Sequence, residues 1–155
     1  MDKRIEKIKK FRQFLLSQIS DLTDEQLNRI PQGYNNNIIW NLAHLICAQQ
    51  SICYMRANLP ITIDDKYFAP YTTNTKPTGF IDGAEIERIK NLLIDSIDEF
   101  QRDFDNSIFE EYSPSPNILK VYGIELTTIG DALEFILYHE GFHSGYIISL
   151  KRLVS

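Results

Sequence analysis

The chain has little of what marks several large protein classes. It carries two cysteines in 155 residues, Cys47 and Cys53. On one helix they would stand about 9 Å apart along the axis, beyond the roughly 7 Å that a disulfide spans. They do not pair there, so a reducing cytoplasm is the expected location. No stretch approaches the roughly 18 apolar residues of a membrane span. The charged start at Met1–Lys10 runs into residues broken by Arg12, Gln13 and Ser17, which is not the apolar core of a signal peptide. Basic residues number 16 against 21 acidic ones, for a net charge of −5, and no Lys/Arg cluster interleaves with aromatics. Neither a nucleic-acid surface nor a membrane is therefore expected as a partner. There is no internal repeat and no low-complexity tract. Histidine is scarce too, with three in the chain, His44, His139 and His143.

What is present is ordinary for a globular protein: 43% hydrophobic and 24% charged residues, over a length suited to a single domain at 1–155. Helical periodicity dominates. Ile5, Ile8, Phe11, Leu15 and Ile19 form one apolar stripe. Thr23 and Gln26 have capping-box spacing and predict a short helical turn. The asparagines at 35–37 offer a cap for a second helix from about Ile38 to Asn58. Residues 60–82 hold scattered prolines among Tyr67, Phe68, Tyr71 and Phe80, a packed loop rather than a disordered linker. A third helix starts near Asp82 or Gly83, with Ile86, Ile89, Leu93, Ile97, Phe100 and Phe104 on one side. After Ser107 the period changes, and 108–112 and 119–122 fit two short strands around Pro114–Asn117. Thr128 and Asp131 then start a fourth long helix that runs to about Leu153. Four helices of about five turns, one long loop and a small hairpin make an all-α four-helix bundle the expected architecture.

His139 and His143 stand four residues apart on the apolar stripe of the last helix. At that spacing two side chains share a face, with Cβ atoms about 5–6 Å apart. Buried imidazoles are costly without partners, and a metal supplies one to both at roughly 2.0–2.1 Å. A lone inward histidine such as His44 is usually a hydrogen-bonded core residue. The pair makes convergence of all three on one ion the sharper hypothesis. The motif is also His-Glu-x-x-His, in which the glutamate of a zinc peptidase is the general base. Such peptidases carry a β-sheet before the motif helix, whereas the chain before this one is helical.

The stretch Asn37-Ile38-Ile39-Trp40-Asn41-Leu42-Ala43-His44-Leu45, followed much later by His139-Glu140-Gly141-Phe142-His143-Ser144-Gly145-Tyr146-Ile147, resembles the DinB-like (damage-inducible B) superfamily of bacterial four-helix bundles. The resemblance covers essentially the whole chain. It implies an up-down-down-up bundle, a divalent metal, zinc or nickel first, on His44, His139 and His143, and a homodimer. It also implies a thiol (S-)transferase that uses a low-molecular-weight thiol with a small-molecule substrate.

Three neutral imidazoles leave a coordination position open, as in catalytic sites. The ion would depress the pKa of a bound thiol or water, so S-transfer and hydrolysis both fit, and iron or manganese fit the same donors. A non-catalytic metal-binding stress-response bundle is the alternative. By helical angle, Trp40, Asn41, Cys47, Ser51 and Tyr146 are candidates to line the cavity. Cys47 is either a thiol near the metal or a small core residue. Glu140 is either a ligand-orienting group or base, hence the candidate catalytic residue, or a solvated acid. Gly141 and Gly145 form a small-x3-small face, suited to close packing within the bundle or across a dimer.

Overall fold

The computed structural model describes residues 2–155. Helix α1 (Lys3–Gln18) begins at Asp2, whose carboxylate accepts from the Arg4 amide. Ile5, Ile8, Leu15 and the following Ile19 are buried, but Phe11 is not on that face. It is 46% exposed, and Arg12 takes its place at 0%. Positions 5, 8, 12, 15 and 19 keep the alternating three- and four-residue steps of an inner stripe, and Phe11 lies one residue off it. The expected stripe is corrected at that position.

Helix α2 (Asp24–Asn28) has the expected capping box, with Thr23 and Gln26 bonded to each other's backbone amides. Helix α3 (Ile38–Gln49) is capped by Asn37, which accepts from the Trp40 amide. Every residue of α3 is buried. The rod then widens into a π turn at Gln50–Tyr54 and tightens into a 3-10 turn at Met55–Ala57. Asn58, at φ 57°, ends it in the left-handed region.

The loop at 59–82 is tied down. The Gln50 side-chain amide pairs with Thr62, Tyr67 donates to Glu85, and Asn28 bonds both the amide and the carbonyl of Ile81. Helix α4 (Gly83–Asp105) starts at the Asp82 cap and buries Ile86, Ile89, Leu93, Ile97 and Phe100.

The hairpin expected around Pro114–Asn117 does not form. Among the described residues there is no strand, and Pro116–Tyr122 is helix α5. Ser115 accepts from the Ile118 amide, Pro116 sits in the first turn, and Gly123 closes the helix at φ 67°. That start-and-stop chemistry outweighs the β propensity of Val121 and Tyr122. The segment before α5 packs by its rings. Phe109 lies 5.2 Å from Tyr54 and 5.1 Å from Phe100, and Tyr112 donates to the Ile52 carbonyl.

Helix α6 (Ile129–Val154) has the Thr128–Asp131 capping box. Helix α1 packs on α4 and α6, and α3 packs on the same two. Among the described residues no helix is long and apolar enough to cross a membrane. Gly141 and Gly145 do not mediate close packing within the fold, since a Cβ at either would meet nothing within 4 Å.

Candidate metal centre

Helix α3 delivers His44, and α6 delivers His139 and His143. Their ring centroids are 4.4 Å apart for His139 and His143, 4.8 Å for His44 and His143, and 5.3 Å for His44 and His139. One nitrogen of each lies within 4.8 Å of the others, so the group could hold a metal ion.

The rings are aimed by their outer neighbours. His44 Nδ1 is 2.7 Å from the Tyr71 carbonyl oxygen. A carbonyl only accepts, so Nδ1 carries the proton and Nε2 keeps its lone pair. His143 Nδ1 is 2.9 Å from Asn41 Oδ1. The Asn41 amide nitrogen is committed elsewhere, donating to the Asn37 carbonyl at 2.7 Å and to Asn36 Oδ1 at 3.1 Å. Its oxygen must therefore face His143, and Nδ1 again carries the proton. Metal-bound histidines commonly have such partners on the far nitrogen. Trp40 backs the cluster, stacked on His44 at 4.8 Å with 9° between planes. Phe135 stacks on His139 at 6.3 Å.

Burial holds all three imidazoles neutral. Desolvation lowers the pKa of His44, against a small opposing pull from the Tyr71 carbonyl. Desolvation, then the neighbouring His143 and His44, bring His139 down to about 2. Desolvation and then His44 bring His143 to about 4. Neutral imidazole is the form that binds a metal, and these donors suit a divalent transition ion.

The histidines form the floor of a cavity of about 480 Å³. Of the residues expected along it, Cys47 and Ser51 are on the wall. Trp40 and Asn41 stand behind the histidines as described. Tyr146 packs edge-on against Tyr34 at 5.8 Å. Cys47 is buried, and desolvation raises its pKa to about 12. The π turn puts Ser51 and Ile52 on the cavity wall.

Glu140 is neither solvated nor on the cavity wall. It is 1% exposed and points into the helix core, where Arg12 Nε and Nη2 donate to its Oε1 at 2.9 and 2.7 Å. Arg12 Nη1 donates to Gln49 Oε1, the Leu93 carbonyl and Ser96 Oγ. Arg12 and the Tyr71 carbonyl were both missed in the sequence. The first had a signal, a charged residue in step with an inner stripe, whereas a backbone carbonyl has none.

No curated protein and no solved structure matches the chain. The profile of one family, the DinB superfamily, matches residues 7–147. That span includes all three histidines together with Arg12, Asn41 and Tyr71, and the chain belongs to the DinB superfamily.

Proposed function

We propose that the chain is a metal-dependent enzyme that acts on a small molecule at the three-histidine centre, with thiol (S-)transfer as its reaction and hydrolysis as the second choice. The observation that carries this is the pair of Nδ1 atoms engaged by Tyr71 and Asn41, which leaves two Nε2 lone pairs for an ion. His44, His139 and His143 would hold it. Zinc or nickel is the first choice, and iron or manganese suits the same donors. When bound, the ion would lower the pKa of a thiol or water placed beside it.

The chain's own groups do the rest. Tyr71 and Asn41 fix the tautomers, and Trp40 and Phe135 hold two of the rings. Tyr138 and Phe142 line the cavity beside the histidines. In the overall reaction RSH and R′–X give RS–R′ and HX. Among the described residues no carboxylate lines this cavity. The ion would acidify a thiol and a water alike, so S-transfer ranks first on the family resemblance and not on the missing carboxylate. The lack of a carboxylate base favours, as a second reading, a non-catalytic metal-binding bundle. A His-Glu-x-x-His peptidase finds no support, because Glu140 is engaged by Arg12 away from the cavity.

The proposal includes an up-down-down-up bundle, a cytoplasmic location and a homodimer. The open Gly141 and Gly145 support an interface on the outer side of α6. Metal content, measured by plasma emission on protein purified without a nickel column, tests the centre. About one equivalent per chain is expected for a three-histidine site, and none after soaking in zinc or nickel would end the proposal. Conjugation assays with a panel of thiols and electrophiles then separate the enzyme from the binding protein.

A further inference from the structure

We infer that the cavity above the histidines takes an uncharged small molecule bearing an aromatic or branched apolar group, and selects against carboxylates. The inference rests on the metal-centre reading only for the donor end of that molecule.

One wall is a run of rings. Tyr122 lies 5.5 Å from Phe135, Phe135 lies 6.1 Å from Tyr138, and Tyr138 lies 6.5 Å from Phe142. Three of them face water at the mouth, with Tyr122 at 48%, Tyr138 at 56% and Phe142 at 60% exposure. A ligand ring laid among them would remove apolar surface from water and gain edge or stacked contacts. The polar groups on the wall, Ser51, Thr72, Thr73, Ser115 and Asn117, are all neutral. Among the described residues no lysine or arginine lines the cavity. With its donor end on the ion, a molecule that carries a carboxylate at its far end would strip that group of water among the rings without gaining a counter-charge there. The adjoining depression shares Tyr122, Phe135 and Tyr138 and adds Glu125, Asp131 and Glu134. Arg4, 3.8 Å from Glu134, offsets part of this charge, and the balance beside the mouth stays negative. Asp131 stays ionised because the backbone and side chain of Thr127, then Thr128, bond its carboxylate and hold its pKa below the usual range.

The test compares two thiols that differ by one carboxylate, benzyl mercaptan and 4-(mercaptomethyl)benzoate, on the cobalt(II)-loaded protein. Binding is read from the visible and near-ultraviolet absorption of the cobalt. Benzyl mercaptan should half-saturate the change at a concentration at least about tenfold lower, as expected for an unpaired charge losing hydration. Equal or tighter binding of the carboxylate overturns the inference. Val121, on the cavity wall and 60% exposed, supplies a gain-of-function control. Val121→Arg should improve carboxylate binding about tenfold by offering a partner, and an unchanged ratio counts against the inference. If cobalt does not bind, the metal-centre reading fails on its own. The cavity is then probed by nuclear magnetic resonance titration of the metal-free protein with benzyl alcohol and 4-(hydroxymethyl)benzoate. Shifts at Val121 and Phe142 amides with the alcohol alone support the inference. Shifts with the benzoate at equal or lower concentration overturn it.

Discussion

Arg12 and Glu140 form an ion pair in the centre of the helices, with side chains 0% and 1% exposed and Nη2 2.7 Å from Oε1. The pair joins α1 to α6 across 128 residues of sequence. Through Gln49, Ser96 and the Leu93 carbonyl it also reaches α3 and α4. Glu140 directly follows His139, so the pair fixes the rotation of α6 that presents His139 and His143 to the cavity. Burial pushes the Glu140 carboxyl up, and Arg12 pulls it back down. Its Oε2 meets no hydrogen-bond partner among the described residues.

Removing one member strands the other. Glu140→Leu or Arg12→Met alone is expected to cost about 3–5 kcal/mol of stability, because it leaves an unpaired buried charge. The double variant should cost less than either single one, since both desolvation penalties disappear together. Urea unfolding of the three proteins measures this. Additive losses would show that the two residues act independently. Glu140→Gln should keep the metal, because Glu140 is not a ligand.

The local features of the fold were legible because their signals are local. The caps at Asn37, Thr23–Gln26 and Thr128–Asp131 lie within three or four residues of what they cap, and the His139–His143 spacing is itself a helical contact. His44 joins them as the one other histidine, on the inner stripe of a second helix, and the resemblance links the same two distant stretches. Arg12 was read as one of the polar residues between the apolar ones, because its partner lies 128 positions away. Residues 119–122 fit a strand by the β propensity of Val121 and Tyr122, although Ser115, Pro116 and Gly123 already spell a short helix over Pro116–Tyr122. The Tyr71 carbonyl depends on how the loop at 59–82 folds back over α3, which side-chain identities do not encode. Glu140 was ambiguous because helical angle gives a direction and not what waits there.

The histidines should be separable from the fold. His139→Ala is expected to abolish metal binding while leaving far-ultraviolet circular dichroism nearly unchanged, because the apolar stripes of α1, α3, α4 and α6 remain. Stripping metal from the unaltered protein should lower the melting temperature without unfolding it at room temperature, since a bound ion stabilises only the folded state. Emission spectroscopy and thermal melts with and without a chelator measure both. Loss of helix on chelation would instead make the ion a structural element.

The two thiols should be slow to react. Burial raises the pKa of both Cys47 and Cys53 to about 12, and both are free. The thiolate is the reactive form, and at pH 8 it is roughly one part in ten thousand of such a thiol. Iodoacetamide labelling of the native protein, followed by mass spectrometry, should therefore be far slower than in urea. Its rate should rise about tenfold per pH unit above 8 as long as the fold persists. Rapid labelling of Cys47 at pH 8 would show an activated thiol on the cavity wall.

Asn41 offers the sharpest test of how the ligands are aimed. Its amide nitrogen is held by Asn37 and Asn36, and its oxygen accepts from His143 Nδ1 at 2.9 Å. It touches the centre only through that bond. Asn41→Ala removes the acceptor and frees His143 to switch tautomer or rotate, so metal affinity should fall about 10–100-fold. Asn41→Asp keeps an acceptor for His143 but turns its second oxygen against the Asn37 carbonyl and Asn36 Oδ1, so it should recover only part of the loss. Competition of each variant with a chromophoric zinc chelator measures the affinities. His44 is the internal reference. Its Nδ1 is fixed by the Tyr71 backbone, which neither substitution touches, so any residual binding in Asn41→Ala should still be abolished by His44→Ala. Unchanged affinity in Asn41→Ala would mean that packing alone orients the His143 ring, and that the asparagine serves only to shape the start of α3.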